Sequence, residues 1–116
     1  MSSLLKITGS DGSQKRKSND FYPTPDSATQ ALLNRELFSH EVWEPACGDG
    51  AISKLLERRN HAVISTDLID YGYGRSGRDF LFEQELLAPN IITNPPFSLA
   101  HEFAQKALDL GATKLA

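Results

Sequence analysis

Apolar residues are spaced in two ways along this chain, and the two spacings alternate. Short apolar runs typical of β-strands are followed by segments in which apolar residues recur every three or four positions, as in amphipathic helices. Turns rich in glycine and proline separate these segments. The alternation predicts an α/β fold with a parallel, doubly wound sheet whose strands are covered on both faces.

Three segments have helical spacing. The first follows a stretch punctuated by prolines and begins at Asp26 or Ser27, either of which can cap it. The second covers residues 51–59. The third covers residues 98–111, with a serine that can cap its start and a glycine that ends it. The residues expected on the buried sides are Ala28, Ala31, Leu32 and Leu37 in the first helix, Ile52, Leu55 and Leu56 in the second, and Leu99, Phe103, Ala107 and Leu110 in the third.

Four segments are predicted as strands. The first contains residues 42–43 and is stopped by Pro45, and the second covers residues 61–67. The third is a short strand and turn within residues 78–87, and the fourth is "NIIT", residues 90–93. Ligands of such sheets bind at the carboxyl ends of the strands. The candidate site residues are therefore those at the strand ends, namely Glu44, Asp67, Asp79 and Asn94.

The chain has 116 residues, enough for one small domain, with 40% hydrophobic and 23% charged residues. Residues 1–19 are interpreted as a flexible tail and residues 20–116 as the folded domain. No apolar run approaches the ~20 residues of a membrane helix, so no membrane contact is expected, and the start lacks the pattern of a secretory signal. A single cysteine excludes an internal disulfide and favours a cytoplasmic location.

The net charge of −3 at pH 7 does not by itself indicate nucleic-acid binding, which usually requires a basic face. Any contact with DNA has to come from local basic clusters. Residues 15–17 form one such cluster, and Arg75 with Arg78 forms another. The alternative is that both clusters are simply solvated, one in the tail and one in a loop.

The glycine-rich turn "EPACGDG", residues 44–50, connects the first strand to the second helix. Gly48 and Gly50 let a ligand approach the backbone, and the helix N-terminus favours an anionic group. Glu44 and Asp49, however, repel phosphate and favour an ammonium or sulfonium group. The turn therefore predicts a zwitterionic or cationic ligand, and the alternative is a plain tight turn.

Two further carboxylates complete a candidate cofactor site. Asp67 follows the glycine turn by about 20 residues, where a carboxylate can accept both hydroxyls of a ribose. Asp79 can accept the amino group of adenine while Phe80 or Leu81 packs on the ring; a helix cap or a surface acid is the alternative role for Asp79. Together with the turn, these residues predict a nucleoside joined to an amino acid, as in S-adenosyl-L-methionine.

A rigid corner, "NPPF", follows the fourth strand. The side-chain oxygen of Asn94 and the carbonyl of Pro95 can accept the two hydrogens of one planar amino group, because the fixed φ of Pro95 and Pro96 holds them in place. Phe97 offers a face on which a flat base can stack. Aligning an amino nitrogen for in-line displacement can be worth ~7–11 kcal/mol. The alternative is a strand stopped by prolines and followed by a core phenylalanine.

These segments resemble motifs I to IV of the class I S-adenosylmethionine-dependent methyltransferases, in the order "EPACGDG", Asp67, "DFL" and "NPPF". The tetrad of asparagine, two prolines and an aromatic residue is similar to that of amino-group methyltransferases, chiefly the adenine-N6 DNA methyltransferases. The upstream "FYPTP", residues 21–25, resembles motif X, and its place before motif I resembles the gamma arrangement. Across residues 20–116 the sequence closely resembles phage and prophage DNA methyltransferases.

The resemblance implies a Rossmann-like methyltransferase fold with strand order 3-2-1-4. It implies S-adenosyl-L-methionine as cofactor and an adenine flipped out of DNA as substrate, with a role in DNA methylation such as restriction-modification. Residues 20–116 correspond to the N-terminal part of that domain. The residues implied are Asn94, Pro95, Pro96 and Phe97 for catalysis, and Tyr22, Thr24, Pro25, Glu44, Ala46, Gly48, Asp67, Asp79 and Phe80 for cofactor binding.

The resemblance also implies about seven strands and a separate target-recognition region. This sequence ends at "GATKLA", the phrase that starts the fifth strand in the family. We therefore expect a sheet truncated before the fifth strand, with an exposed edge beside "NIIT". Such an edge favours association, so a partner chain or a homodimer is expected in addition to DNA.

Three functions stay open at this point. The first is methyl transfer to adenine in DNA, by this chain or as the N-terminal, cofactor-binding half of such an enzyme. The second is the same transfer to a protein glutamine or an RNA guanine, although those families tend to have tyrosine after the prolines and lack "FYPTP". The third is a catalytically inactive, truncated prophage remnant that acts as a folded or dimeric module. In every case Cys47 is expected to pack rather than to act as a nucleophile.

Overall fold

The computed structural model describes residues 23–116, so the predicted tail, residues 1–19, and the predicted cofactor contact Tyr22 lie outside the described residues. Helices and strands alternate along this part of the chain, as the apolar spacing predicts. No helix within residues 23–116 is both long enough and apolar enough to span a bilayer. The helices are α1 (Asp26–Arg35), α2 (Ala51–Arg58) and α3 (Ala100–Leu110), the strands are β1 (Glu41–Glu44), β2 (Ala62–Ser65), β3 (Asn90–Ile91) and β4 (Lys114–Leu115), and two 3₁₀ helices cover Phe80–Phe82 and Phe97–Leu99.

The four strands form one parallel sheet in the order β2-β1-β3-β4. Glu41–Glu44 of β1 pairs with Ala62–Ser65 of β2 over its whole length, and residues 42–43 also pair with residues 90–91 of β3. The predicted α/β class with a parallel sheet is confirmed. The predicted order 3-2-1-4 is wrong, because the segment predicted as the third strand does not join the sheet.

The segment predicted as the third strand, residues 78–87, contains a 3₁₀ helix instead. Asp79 caps this helix, since its Oδ1 accepts the backbone N–H of Leu81 at 3.0 Å. Phe80 is buried, and its ring makes an edge contact with Trp43 at a centroid distance of 5.1 Å. The buried aromatic side chain holds the segment against one face of the sheet, so its backbone makes local hydrogen bonds rather than extending the sheet beyond β2.

The sheet also continues on its other side. Lys114–Leu115, within "GATKLA", pairs in parallel with Asn90–Ile91, and the N–H of Thr93 donates to the carbonyl of Ala116 at 3.0 Å. The predicted truncation before this strand is therefore wrong, and so is the predicted exposed edge beside "NIIT". Within residues 23–116, the outer strands of the sheet are β2 and β4.

Two apolar clusters cover the two faces of the sheet. Val42 of β1 belongs to one cluster and Trp43 to the other, because successive side chains of a strand point to opposite faces. Helices α1 and α2 cover the first face, and α3 with the 3₁₀ helix Phe80–Phe82 covers the second. The first cluster comprises Val42, Ile52, Leu56 and Ile92 with Leu32, Leu33, Phe38 and Val63 packed against it, and the second is built on Trp43, Phe80, Ala88, Ile91, Phe103 and Ala107.

The helix starts differ from those predicted. Pro25 is the N-cap of α1 in an extended conformation, and neither Asp26 nor Ser27 makes a capping side-chain hydrogen bond. Ser98 lies inside the 3₁₀ helix Phe97–Leu99, and helix α3 begins two residues later with Leu99 as its N-cap. The predicted end of α3 is confirmed, since Gly111 terminates it with a left-handed φ of 88°.

The buried sides of the helices were predicted correctly for α2 and α3 but only in part for α1. In α1 the buried residue is Thr29, while Leu37 lies beyond the end of the helix and is 89% exposed. Buried or packed as predicted are Leu32, Ile52, Leu55, Leu56, Leu99, Phe103, Ala107 and Leu110, whereas Ala28 and Ala31 are exposed.

Candidate functional site

The carboxyl ends of β1, β2 and β3 lie side by side at one edge of the sheet, because the three strands are parallel neighbours. Glu44 ends β1, Asp67 follows the end of β2 by two residues, and Asn94 follows β3 after residues 92–93. Asp79 is different, because it precedes a 3₁₀ helix rather than ending a strand. The fold thus brings three of the four predicted strand-end residues to the same edge.

The turn at residues 44–50 depends on its glycines. Gly48 and Gly50 have φ angles of 55° and 91°, in the left-handed region that favours glycine. Gly50 is also the N-cap of α2. The N–H of Gly48 donates to Oδ2 of Asp67 at 2.9 Å, so the turn after β1 is fixed to the carboxylate that follows β2.

Glu44 is buried, with 1% of its surface exposed. Its Oε2 accepts two hydrogen bonds, from the backbone N–H of Ala46 at 3.1 Å and from the hydroxyl of Thr93 at 2.5 Å. Burial raises the pKa of the Glu44 carboxyl to about 8, although both donors act in the opposite direction; the nearby Asp67 adds to the rise. At neutral pH the carboxyl is therefore mostly protonated, and a cation placed beside it favours loss of that proton.

Asp67 is nearly as buried and is held by the backbone. Its Oδ2 accepts the N–H of Gly48 and its Oδ1 accepts the N–H of Ile69, each at 2.9 Å. Burial raises the pKa of Asp67, and these backbone donors partly offset the rise. Each carboxylate oxygen has two lone pairs, so both oxygens can also accept a ligand hydroxyl.

The ion pairs found within residues 23–116 leave these two buried acids without a basic partner. They join partly exposed side chains elsewhere: Arg58 with Asp26, Arg78 with Glu83, and Lys114 with Glu36. Two buried carboxyl groups without a basic neighbour favour a cationic ligand group and disfavour a phosphate.

The loop after β2 folds back over the glycine turn, a contact that was not predicted from the sequence. The ring of Tyr73 lies on Gly50, where an added Cβ would be 2.7 Å from the ring. Gly74 approaches Cys47 just as closely, because an added Cβ would lie 2.8 Å from its Sγ. Within "YGYG", Gly74 allows the close approach to Cys47 and Tyr73 covers the turn, whereas an added Cβ at Gly72 would meet nothing within 4 Å.

Cys47 packs inside the turn, as predicted. It is 4% exposed, and its thiol donates to the carbonyl of Tyr73 at 3.6 Å. Burial, together with the nearby acids Glu44 and Asp67, raises the pKa of the Cys47 thiol to about 12. The reactive thiolate is therefore strongly disfavoured at neutral pH, so Cys47 is unsuited to act as a nucleophile.

Asp79 and Phe80 have structural contacts that account for both residues. Asp79 is half-buried and caps the 3₁₀ helix, which is the alternative role considered for it. The ring of Phe80 is enclosed by Trp43 and Phe103, at centroid distances of 5.1 Å and 4.9 Å. Leu81, which is partly exposed, is therefore the better placed of the two residues predicted to pack on an adenine ring.

The corner "NPPF" lies at the surface. Asn94 is exposed, and its side-chain NH₂ group donates to Oγ1 of Thr24 at 3.0 Å, which joins segments that are 70 residues apart in the sequence. Pro95 and Pro96 are half-buried, whereas Phe97 is 84% exposed. The alternative interpretation of Phe97 as a core residue is therefore wrong.

The remaining predicted cofactor contacts flank these groups. Thr24 is half-buried beside Asn94, and the adjacent Pro25 is exposed at the start of α1. Ala46 is half-buried in the glycine turn, where its N–H donates to Glu44. Their arrangement places the segment that contains Thr24 beside the corner.

Thr93 belongs to the site although no pattern in the sequence identifies it as a site residue. It joins Glu44 through its hydroxyl and directly precedes Asn94. In the sequence it is one of three β-branched residues in a strand pattern, and its partner is 49 residues away. Nothing in the local pattern distinguishes a threonine that contacts an acid from one that only favours the strand.

Within residues 23–116, His, Cys, Asp and Glu side chains form no group of three or more that could hold a metal ion. A scan of the chain against protein-family models gives no match, and a search of curated proteins gives none either. The residues and geometry of the site are therefore the basis on which a function can be assigned.

Proposed function

We propose that this chain carries the cofactor-binding and catalytic edge of an S-adenosyl-L-methionine-dependent methyltransferase that acts on the exocyclic amino group of adenine in DNA, by itself or as the N-terminal half of such an enzyme. The main support is that segments far apart in the sequence meet at one edge of a parallel sheet. Thr24 contacts Asn94, and Gly48 contacts Asp67. The first contact joins Thr24 to the corner, and the second joins the glycine turn to the predicted ribose carboxylate.

The chemistry of the edge fits this cofactor. S-adenosylmethionine, when bound, supplies an electrophilic methyl group on a sulfonium and also carries an ammonium. Glu44 and Asp67 are buried acids for which residues 23–116 provide no ion-pair partner, so a cationic group is the complement that they need. Glu44, Ala46 and Gly48 would border the methionine part together with Thr24 and Pro25. In the nucleoside part, Asp67 would bind the ribose, and Asp79 with Leu81 would bind the adenine.

The corner supplies the groups that hold the target. The side-chain oxygen of Asn94 and the carbonyl of Pro95 accept the two hydrogens of the target amino group, which directs its lone pair outward. The restricted φ of Pro95 and Pro96 fixes the positions of these acceptors. The proton of the amino group leaves after transfer, so the corner orients the nitrogen and no general base with a matched pKa is required.

The exposure of Phe97 favours a large planar substrate. An 84% exposed aromatic ring next to a pair of hydrogen-bond acceptors gives a base a surface on which to stack. A base in duplex DNA has to leave the helix to reach the corner, at an energy of a few kcal/mol. A protein glutamine or an RNA guanine carries the same amino group, so these substrates belong in the same assay.

A second candidate is a folded module without catalytic activity, which associates through β2 or β4 at the sheet edges. The hydrogen bonds inside the site favour it. Asp67 binds two backbone N–H groups, Asp79 caps a 3₁₀ helix, and Asn94 contacts Thr24, so each has a structural role without a ligand. The two candidates differ in whether a cationic cofactor binds at Glu44.

Calorimetry with S-adenosylmethionine separates them. At pH 7 we expect binding to release up to about one proton, because a bound cation favours ionised Glu44. Titrations in two buffers with different ionisation enthalpies measure that proton release. Glu44→Gln is expected to abolish the release, while Asp49→Asn, an exposed acid of the same turn, is expected to retain it. The absence of binding at millimolar cofactor would refute the cofactor site in this chain and favour the folded module.

Methyl transfer identifies the substrate. Tritium from labelled cofactor is expected to appear in unmethylated DNA and not in RNA or protein. Asn94→Ala is expected to reduce transfer by ~100-fold or more, because the loss of one acceptor misplaces the amino nitrogen. Asn34→Ala changes another exposed asparagine, one that accepts a hydrogen bond from Arg59, and should leave transfer unchanged. Equal activity of wild type and Asn94→Ala would contradict the role of the corner.

A further inference from the structure

Thr93 is the residue that connects the buried acid to the exposed corner. Its hydroxyl donates to Oε2 of Glu44 at 2.5 Å, and its backbone N–H donates to the carbonyl of Ala116 at 3.0 Å. It is therefore held from two sides, by the end of β1 and by the residue after β4. Asn94 is the next residue in the chain. Its backbone therefore follows directly from a residue that is hydrogen-bonded to Glu44.

We propose that Thr93 is a positioning residue that couples the state of the Glu44 carboxyl to the orientation of Asn94. The proposal rests on the proposed function for its purpose, since Glu44 there holds the cationic part of the cofactor and Asn94 holds the target amino group. Through Thr93, a change in charge at Glu44 alters the hydrogen bond that fixes the start of the corner. Cofactor binding then prepares the acceptor of the target amino group before the target arrives.

The chemistry of the contact supports a coupling rather than a passive link. A hydroxyl that donates to a carboxylate makes a stronger hydrogen bond than one that donates to a neutral carboxylic acid. Thr93 therefore holds ionised Glu44 more firmly than protonated Glu44. Within residues 23–116, the titratable groups that interact with Glu44 are Asp67 and Cys47, and neither supplies positive charge. The second fixed donor to the carboxyl is the N–H of Ala46, which belongs to the turn and not to the corner.

A nuclear magnetic resonance titration tests this coupling without any cofactor. The Glu44 carboxyl carbon is followed from pH 5 to pH 9 together with the side-chain NH₂ signals of Asn94, which are assigned by their loss in Asn94→Ala. In the wild type, the Asn94 signals are expected to shift with the same midpoint as Glu44. The side-chain signals of Asn34, which accepts a hydrogen bond from Arg59, serve as the internal control. They should not shift with the Glu44 midpoint.

Thr93→Val keeps the shape of the side chain and removes the hydroxyl. It is expected to raise the Glu44 midpoint by about 1 pH unit or more, the equivalent of one hydrogen bond to a charged group, so that Glu44 stays largely protonated to the upper end of the titration. It should also remove the Glu44-linked shift of Asn94. Thr93→Ser retains the hydroxyl and should restore both. Thr29→Val makes the same substitution at another buried threonine, in α1, and should change neither.

The inference fails if the Asn94 signals of the wild type do not follow Glu44, or if Thr93→Val behaves like Thr29→Val. If Thr93→Val does not fold, Glu44→Gln provides the comparison, since it should abolish the Asn94 titration in that pH range. Failure of the proposed function is a separate outcome. It is seen as a lack of cofactor binding by the wild type, while the coupling between Glu44 and Asn94 is measured in the free protein.

Discussion

Two regions at the same edge of the sheet are built in opposite ways. Apart from the exposed Asp49, the turn at residues 44–50 is largely buried, between β1, the end of β2 and the loop that contains Tyr73. The corner at residues 94–97 is largely at the surface, with Phe97 84% exposed. The turn contains ionisable groups, whereas the corner presents an amide, two prolines and an aromatic ring.

Because of this difference in burial, the two regions differ in whether their polar groups change charge. In the turn, burial raises the pKa of Glu44 and of Cys47, so charge there depends on what binds. In the corner, groups that do not titrate keep the same hydrogen-bonding character over the physiological pH range. The chemistry proposed for the site assigns charge recognition to the buried turn and orientation of a neutral amino group to the exposed corner.

The largest expected effect is the pH dependence of stability that arises from Glu44. Its pKa is about 8 in the folded chain and 4.5 as a free side chain, so the folded state binds the proton more tightly than the unfolded state. Stability should therefore be greatest near or below pH 4.5, fall as the pH rises towards 8, and level off above it. A shift of this size corresponds to about 5 kcal/mol at its full extent.

Urea unfolding of the wild type and Glu44→Gln from pH 5 to pH 9 measures this dependence. Glu44→Gln should remove most of the fall and be more stable than the wild type at pH 9. Asp49→Asn, an exposed change in the same turn, should keep the wild-type profile. If the free energy of unfolding of the wild type does not change between pH 5 and pH 8, the pKa of Glu44 is not raised by burial in the folded chain.

The second effect compares one buried and one exposed phenylalanine. Phe80 is 2% exposed between Trp43 and Phe103, so Phe80→Ala should lower the free energy of unfolding by about 3–5 kcal/mol. Phe97→Ala should change it by less than about 0.5 kcal/mol. Both are measured by urea unfolding at one pH. The comparison would be reversed if Phe97→Ala were the more destabilising change, since that would assign Phe97 to the core.

The third effect concerns the packing of the Tyr73 loop on the glycine turn. A Cβ at Gly74 would meet Cys47 Sγ and the Ser65 carbonyl oxygen at 2.8 Å, whereas a Cβ at Gly72 would meet nothing within 4 Å. Both glycines have positive φ angles, of 72° and 85°, so backbone strain is common to the two alanine variants. Gly74→Ala should therefore be more destabilising than Gly72→Ala by about 1–3 kcal/mol, the usual effect of overpacking.

Chemical denaturation of both variants gives that difference. The rate at which the Cys47 thiol reacts with a disulfide reagent at pH 8 gives a second measure, because the thiol is protected as long as the loop covers it. Gly74→Ala should accelerate the reaction relative to Gly72→Ala. Equal stabilities and equal rates would mean that the loop does not pack closely on the turn.

The smallest expected effect comes from removing the hydrogen bond between Asn94 and Thr24. Thr24→Val removes the acceptor of the Asn94 side-chain NH₂ group and should reduce stability by about 1 kcal/mol or less, because the contact is exposed. Thr24→Ser should behave like the wild type. The Asn94 side-chain NH₂ signals should shift in Thr24→Val and remain in place in Thr24→Ser. Unchanged signals in both variants would remove the contact from the description of the site.

The fold class could be predicted from the sequence because the spacing of apolar residues depends on whether one face or both faces of an element are buried. Helix α2, the strands β1 and β2 and the glycine that ends α3 follow from such local patterns. Residues 78–87 show where the pattern fails. The apolar run that includes Phe80 is compatible with a strand. In the folded chain, however, Phe80 packs against Trp43 and the segment forms a 3₁₀ helix.

The candidate site was predicted in part for the same reason. Glu44, Asp67 and Asn94 are each placed at a strand end by the local sequence pattern, and a parallel sheet is then sufficient to bring them to one edge. Thr93 and Tyr73 were not predicted, because their partners Glu44 and Gly50 are distant in the sequence. Their roles depend on which strands are adjacent and on which loop folds back.

The sequence by itself determined the alternation of strands and helices, the glycine turn and the identity of the polar groups at the strand ends. These depend on backbone preferences and on the spacing of apolar side chains, both of which act over a few residues. The tertiary structure alone decided that Phe80 is core and Phe97 is surface, that β4 extends the sheet, and that Thr93 connects Glu44 to the corner. Burial and contacts between distant segments set these features, because the competition for interior space is resolved only when the whole sheet is assembled.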